Sequence, residues 1–398
     1  MKIAILGLGV VGSGVYKQLT EHKNKIEKET EDEFILTYGL VRTITPKKER
    51  KFPNIKLTTN VMDILDDPEV DCLIEVMGSI DFAYEVIKRA LSNKKHVITA
   101  NKDLVALHGV ELMKLAKKNK CDFYFEASVA GGVPIVRSVS KGLASDYIYD
   151  IKGILNGTSN YILTKMSHDG ISYKEALKEA QSLGFAESDP TNDIAGFDTA
   201  RKLAILAMLS FYIDVTINDV IINGIENVSQ DDMRIAQSLG YEIKLIGHSH
   251  YQGGEVCLNV NPTFVNKKHQ LANVNREMNS VFIVGEAIGE LIFFGAGAGS
   301  NPTATAVMSD LLEVSRNMKS KCNGRDLIIP FNKKEITIGH ELGKYIFIAN
   351  EKILQDILNL FPATKHTKDY VICELSGAYA TKIARENDCK MFPMIESD

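Results

Sequence analysis

The sequence predicts an α/β protein: an N-terminal parallel sheet covered by helices on both faces, an α+β domain after it, and a small C-terminal module. Three observations predict this. From residue 1 to about 130, short apolar runs alternate with longer amphipathic ones, the rhythm of strands joined by helical crossovers. After Pro134 the order changes to helices followed by a β-rich stretch. The end of the chain then reads strand, helix, strand, helix, strand, with room for one more edge strand, which suits a ferredoxin-like βαββαβ module. A chain of 398 residues is long enough for two or three domains.

In the first part the strand-like runs are Ile3–Leu6, Phe34–Val41, Cys72–Met77, His96–Ala100 and Phe123–Phe125, with helix-like runs such as Phe82–Ser92 and Val110–Asn119 between them. In the second, a strand near Tyr147–Leu155 precedes helices at about 158–168, 172–183 and 198–212. A β-rich run over about 241–295 follows, with a hairpin signal at Tyr251-Gln252-Gly253-Gly254. The loop Gly295-Ala296-Gly297-Ala298-Gly299 leads into an amphipathic helix over about 302–317. The last strands are expected at Tyr345–Ala349, Tyr370–Leu375 and Met391–Ile395, with an edge strand near Ala363–Lys368 and helices at Lys352–Leu360 and Ala378–Glu386. The domains are expected at 1–133, completed by the helix at about 301–318, then 134–300, a linker at 319–340 and the module at 341–398.

Composition excludes several functions. Lys plus Arg (46) nearly cancels Asp plus Glu (51), so the chain lacks the basic excess of a nucleic-acid binder. The longest apolar stretch, Leu203–Ile213, has 11 residues and contains Ser210, whereas a membrane span needs roughly 18 or more. The apolar N-terminus is interrupted by Gly7, Gly9, Gly12 and Gly14, so it reads as a first strand rather than a signal peptide. Cys72, Cys121, Cys257, Cys322, Cys373 and Cys389 form no C-x-x-C pair. They are expected to be reduced thiols of a cytoplasmic protein.

Gly7-Leu8-Gly9-Val10-Val11-Gly12 matches G-x-G-x-x-G directly after a strand and before a helix, the context that gives this weak motif meaning. Gly7 permits the turn, Gly9 lets backbone approach a pyrophosphate, and Gly12 allows the helix to pack on the strand. The helix N-terminus then offers N–H groups to phosphate. The second strand ends in Val41-Arg42-Thr43, followed by Lys47, Lys48 and Arg50. An acid there would hold the 2′-hydroxyl of NAD. Arg42 can instead grip a 2′-phosphate, so NADP(H) is expected to be preferred and NAD(H) accepted. The plain alternative for this stretch is a solvated basic loop.

Three polar segments are candidates for chemistry. Thr99-Ala100-Asn101-Lys102 ends a strand at the sheet edge where ligands of such folds bind; Lys102 is either a surface charge or a group facing the ligand. Glu126-Ala127-Ser128-Val129-Ala130-Gly131-Gly132-Val133 offers a carboxylate and inward carbonyls of the kind hard cations favour, although a tight turn is the plainer explanation. Gly184-Phe185-Ala186-Glu187-Ser188-Asp189-Pro190-Thr191-Asn192-Asp193, with Asp198 and Lys202 after it, packs carboxylates and a lysine beside an apolar helix. Asp198 and Lys202 share a helix face at i,i+4 spacing. They are either a surface pair or a group that holds a substrate ammonium and moves a carbonyl proton. The segment His248-Ser249-His250 is flanked by glycines and is expected to be exposed rather than to bind metal.

Taken in order, Ile5–Gly14, Val97–Leu104, Phe125–Pro134, Gly153–Asn160, Leu183–Asp193, Asp198–Lys202 and Gly297–Ala306 resemble the signatures of the homoserine dehydrogenase family, over residues 2 to about 317. The resemblance implies an N-terminal Rossmann-type domain and a reversible oxidoreduction of L-homoserine and L-aspartate 4-semialdehyde with NAD(P)(H). It implies that Lys202 gives the proton to the substrate oxygen, that Lys102 supports this step, and that Asp193 is a further catalytic-loop acid. Glu187 and Asp198 would bind homoserine, and Gly157 and Thr158 would line the cleft. Cofactor contacts would come from Gly7, Gly9, Val10, Val11, Gly12, Arg42, Lys102, Gly184 and Gly299. A monovalent cation, sodium or potassium, would be held by Glu126 with the carbonyls of Val129, Gly131 and Val133.

The C-terminal module resembles the ACT domain that many family members carry for feedback by an amino acid. Here it is short, and its first strand passes to its first helix through Asn350-Glu351 with no glycine in the turn. The β-rich half of the second domain leaves an apolar sheet that pairing of two copies would bury. A homodimer or higher homo-oligomer is therefore expected, with a small-molecule substrate and neither nucleic acid nor membrane as partner.

Overall fold

A computed structural model of the chain describes residues 1–325 and 342–397. Of the linker expected over 319–340, residues 326–340 lie outside the described residues. The chain divides into two compact units, one built on Met1–Ser145, Met208–Asp214 and the described residues from Gly295 to Arg325, the other on Asp146–Ala207, Val215–Phe294 and the C-terminal strands.

The first unit is a parallel sheet of six strands: β1 (Lys2–Leu6), β2 (Ile35–Leu40), β3 (Lys56–Thr58), β4 (Cys72–Glu75), β5 (His96–Thr99) and β6 (Phe123–Tyr124). Their spatial order, β3-β2-β1-β4-β5-β6, reverses direction between β1 and β4, which is the doubly wound order with its switch point at the first strand. Strands β1, β4 and β5 are buried along nearly their whole length, as a sheet covered on both faces requires. On one face Ile3, Ile5, Ile74 and Ile98 pack with Val15 and Leu19 of the helix Val10–Glu21 and with Val307 and Leu311 of the helix Ser300–Ser320. Strand β3 was not expected from the sequence; with three residues, one of them a lysine, it carries no periodic signal.

The second unit holds a ten-stranded sheet formed by β7 (Ile148–Ile154), β8 (Ile221–Ile222), β9 (Tyr241–Gln252), β10 (Glu255–Asn266), β11 (Met278–Gly285), β12 (Gly289–Ala296), β13 (Leu342–Ile348), β14 (Ala363–His366), β15 (Tyr370–Ser376) and β16 (Lys390–Ile395). The order is β12-β11-β7-β9-β10-β16-β13-β15-β14, with β8 beside β10. The expected hairpin is present: Gln252 pairs with Glu255 across Gly253 and Gly254. Both glycines have positive φ (+62° and +94°), the conformation that a two-residue turn matched to strand twist demands.

The helices Gly157–His168, Tyr173–Ser182 and Phe197–Phe211 lie where expected. Asn156 caps the first by accepting from Ser159 N at 2.8 Å, and Ser172 with Glu175 forms a capping box on the second. The C-terminal strands bury their own core, Phe347, Leu354, Ile357, Val371 and Ile383 among it. They are nevertheless continuous with the larger sheet, because β16 pairs in parallel with β10 through Phe264–Met394 and Val265–Ile395.

Candidate active site

In the first unit the glycine motif forms the turn between β1 and the helix Val10–Glu21. Gly7 has φ +101°, and a Cβ on Gly12 would lie 1.9 Å from Gly7 O. No side chain can therefore stand at Gly12 without moving the turn. Nothing lies within 4 Å of a Cβ built on Gly9, so backbone is open to a ligand there. Val10, a large apolar residue, is 71 % exposed at the start of the helix, and Val11 is half-buried. The structure brings Gly299 to this turn: it precedes the helix Ser300–Ser320, and Ser300 Oγ donates to Val10 O at 2.9 Å. Arg42 is exposed after β2.

At the carboxyl ends of β4 and β5 sits a group not foreseen from the sequence. Glu75 is wholly buried and accepts from Thr99 Oγ1 at 2.5 Å and from Met77 N at 2.7 Å. Burial raises its carboxyl above the usual range, while hydrogen bonds from Thr99, Met77, Gly78 and Asn101 oppose this. Thr99 Oγ1 in turn accepts from Asn101 N, and Asn101 caps the helix Lys102–Asn119 by accepting from Leu104 N. Glu75 thereby fixes the turn that presents Lys102, which is half-buried as the first residue of that helix.

The Glu126 loop is also buried. Its carboxylate accepts from Val136 N at 3.0 Å and Arg137 N at 2.7 Å, while Glu126 N donates to Asp310 Oδ2. Burial raises the Glu126 carboxyl, and burial together with Glu126 pushes Asp310 to about 7 although Arg137 pairs with it at 2.9 Å. Val129, Gly131 and Val133 are buried. Among the described residues no N–H or hydroxyl donates to the carbonyl of Val129 or Gly131. Orphaned buried carbonyls of this kind suit a hard cation. The carboxylate, by contrast, is committed to backbone N–H groups, so its fit as a ligand is poorer than that of the carbonyls.

In the second unit Asn156 gathers the charged residues. Its Nδ2 donates to Asp193 Oδ1 at 2.7 Å and to Asp198 Oδ2 at 2.8 Å. Lys202 Nζ donates to the same Asp198 oxygen at 2.7 Å and to Leu155 O at 2.6 Å. The Asp198 and Lys202 side chains are only 6 % and 11 % exposed. Burial raises the Asp193 carboxyl above its ordinary value, with the charge of Asp198 adding to this and the Asn156 bond opposing it. Thr158 Oγ1 donates to Phe185 O at 2.6 Å, tying the helix Gly157–His168 to the loop that carries Gly184. Gly157 packs closely enough on Glu277 that a Cβ would lie 2.7 Å from its carbonyl.

The structure thus joins Asp193, Asp198 and Lys202 into one cluster, with Gly157 and Thr158 following Asn156 in the chain. Gly184 and Glu187 are exposed, and Glu187 is held through its carbonyl, which accepts from Gln181 Nε2 at 3.1 Å. Asn156 was missed as a site residue; its one sequence signal is a cap residue following a buried strand. The expectation that His248 and His250 are exposed does not hold: their side chains are 19 % and 18 % exposed and pack about the buried Asp150. They lie inside the twelve-residue strand β9, on the β-rich run expected there.

This geometry agrees with what the chain resembles. Residues 7–126 match the family model of the homoserine dehydrogenase NAD binding domain, and residues 134–312 match that of homoserine dehydrogenase. The chain is 46% identical to the homoserine dehydrogenase of Bacillus subtilis over 84% of its own length and 78% of the relative's. It is 39% identical to that of Lactococcus lactis over 93% and 83%. Among solved structures it superimposes on the homoserine dehydrogenase from Thiobacillus denitrificans with a TM-score of 0.90 and 34% identity, covering 100% of this chain and 98% of that one. A hyperthermophilic archaeal homoserine dehydrogenase in complex with NADPH matches at 0.66 and 27% identity over 79% and 97%. A parallel sheet with its glycine turn, a separate mixed sheet, and relatives of one name across most of the sequence place the chain in the homoserine dehydrogenase family.

Proposed function

We propose that the chain interconverts L-homoserine and L-aspartate 4-semialdehyde, a step toward threonine and methionine, with Lys202 as the proton carrier. The observation that carries this reading is the setting of the Lys202 ammonium. Two of its three donors are held by Leu155 O and Asp198 Oδ2, which leaves one N–H for a substrate oxygen. A bound nicotinamide supplies or takes the hydride at the substrate carbon. In reduction, Lys202 stabilises the charge growing on the carbonyl oxygen and then gives it a proton; in oxidation, the neutral amine takes the hydroxyl proton. Asp198 orients Lys202 and, with Glu187, binds the substrate ammonium. Asp193, linked to Asp198 through Asn156, completes the acidic lining, and Lys102 supports the proton step.

For the cofactor, Gly7, Gly9 and Gly12 with the N-terminus of the helix Val10–Glu21 would receive the pyrophosphate, and exposed Arg42 would receive a 2′-phosphate. NADP(H) is therefore the preferred partner. The carbonyls of Val129 and Gly131, with Val133 and Glu126, would hold a sodium or potassium ion that fixes the loop. The exposed Ile292 and Phe294 of the edge strand β12 support pairing of two copies into a homodimer. Six cysteines, none joined in a disulfide among the described residues, support a cytoplasmic setting.

In the C-terminal residues the strand order β16-β13-β15-β14 with two helices supports an ACT-like module. Asn350 caps its first helix at a turn without glycine, and we assign the module to assembly rather than to threonine binding. Initial rates with homoserine, compared for NADP and NAD and repeated with added threonine, test these readings together. A rate that is higher with NADP and unmoved by threonine is expected. No nicotinamide absorbance change with either cofactor would overturn the proposed activity.

A further inference from the structure

We propose that Asp150, His248 and His250 form a binding site for a divalent transition-metal cation of the zinc class, a site that takes no part in the reaction above. The register of two strands builds it. In the antiparallel pair β7–β9, Asp150 stands opposite His250 and Lys152 opposite His248. Side chains alternate along a strand, so both histidines of the His-x-His run and Asp150 project from one face of the sheet. His248 Nε2 lies 2.6 Å from Asp150 Oδ1, and His250 Nδ1 lies 3.7 Å from the same oxygen. One ligand atom from each of the three residues falls within 4.8 Å of the others. Ligands at about 2.0–2.1 Å from zinc are about 3.3 Å apart in a tetrahedron, a spacing these distances bracket, so small side-chain movements admit the ion.

The donor set also fits. Two imidazoles and one carboxylate are borderline ligands suited to zinc, nickel or cobalt, and three protein ligands leave a fourth position for water. The face opens on a groove of about 400 Å³ whose walls include Tyr149, Lys152 and Cys257, which gives the ion a path in. Burial alone would raise the Asp150 carboxyl. The charge and hydrogen bond of His248, with His250 and the charge of Lys152, outweigh it and hold the group well below the usual carboxylate range. Lys152 pairs with Asp150 through Oδ2, the oxygen that the histidines do not share. Its ammonium competes electrostatically with the cation without occupying the coordinating atom.

The test uses the full chain stripped with chelator and titrated with Zn²⁺ by calorimetry and with Co²⁺ by absorbance. One equivalent of Zn²⁺ per chain is expected, and Co²⁺ should show tetrahedral d–d bands without thiolate charge transfer. His248→Gln and His250→Ala should each weaken binding by more than the roughly 10–100-fold that loss of an outer-shell partner costs. Lys152→Met, which keeps every ligand, should bind as tightly as the parent chain or more so. Less than one equivalent, a stoichiometric site that survives His248→Gln, or a thiolate band assigning the ion to cysteine would overturn the proposal and leave the cluster as an ion-pair network.

Discussion

Lys202 Nζ lies 2.7 Å from Asp198 Oδ2, one helical turn back on the helix Phe197–Phe211. On an exposed surface such an i,i+4 pair contributes a few tenths of a kcal/mol. This pair is nearly buried, and removing one partner there leaves an uncompensated charge, which is strongly destabilising. The same Asp198 oxygen accepts from Asn156 Nδ2, so the position of the ammonium depends on a residue 46 positions earlier in the chain.

Replacing Asn156 therefore affects fold and turnover together. Asn156→Ala removes the donor shared by Asp193 and Asp198 and the cap of the helix Gly157–His168. A lost cap costs about 0.5–2 kcal/mol, and kcat/KM should fall at least about tenfold as the two carboxylates lose their spacer. Thermal unfolding and steady-state kinetics on the same preparation measure both, and unchanged kinetics would remove Asn156 from the site.

The dinucleotide turn makes a narrower prediction. Gly12→Ala places a methyl group where Gly7 O already stands, 1.9 Å away, and forces the β1–helix turn open. Cofactor dissociation constants, read by fluorescence titration, should rise at least about tenfold because the backbone can no longer approach the pyrophosphate. Equal affinity in the variant would show that the dinucleotide binds elsewhere.

Arg42 separates the two cofactors. Arg42→Ala should lower kcat/KM with NADP by about tenfold or more, the loss of a charge-assisted phosphate contact of roughly 1.5–3 kcal/mol, with little change for NAD. A parallel fall with both cofactors would assign Arg42 to general electrostatics.

A buried lysine gives a pH signature away from the reaction. Lys244 is 2 % exposed and donates to Val274 O at 2.6 Å and Asn275 Oδ1 at 3.0 Å. Burial lowers its ammonium from 10.5 to about 8. Below pH 8 the folded and unfolded chains both carry the charge and the folded one bears the full desolvation cost. Between about 8 and 10.5 the folded chain binds fewer protons, so its stability rises with pH. The melting temperature of the parent chain relative to Lys244→Met should climb across that window. A difference constant from pH 7 to 10 would contradict the assignment.

Much of the fold was legible because local pattern and tertiary burial agree. Cys72–Glu75 and His96–Thr99 are buried throughout and read as apolar runs, and Gly253-Gly254 announces its turn. Lys56–Thr58 was not legible, since strand pairing alone, not composition, makes it β3. At the candidate site the spacing of Asp198 and Lys202 could be read from the helix period. The Asn156 bridge could not, because it joins residues 37 and 42 positions apart. Glu75 escaped for a related reason: an acid ending an apolar strand looks like its solvated edge until the Thr99 hydroxyl and two turns are folded over it. The partial burial of His248 and His250 was not legible, because Asp150, about which they pack, arrives from a neighbouring strand.

Turnover of Lys202→Ala with homoserine and NADP, measured beside the cofactor affinity of the same protein, tests the central claim most directly. Loss of a positioned proton carrier should lower kcat by about 10²–10⁴-fold while the NADP dissociation constant stays within about twofold, because the residue serves the substrate oxygen. A kcat equal to that of the parent enzyme would contradict the account.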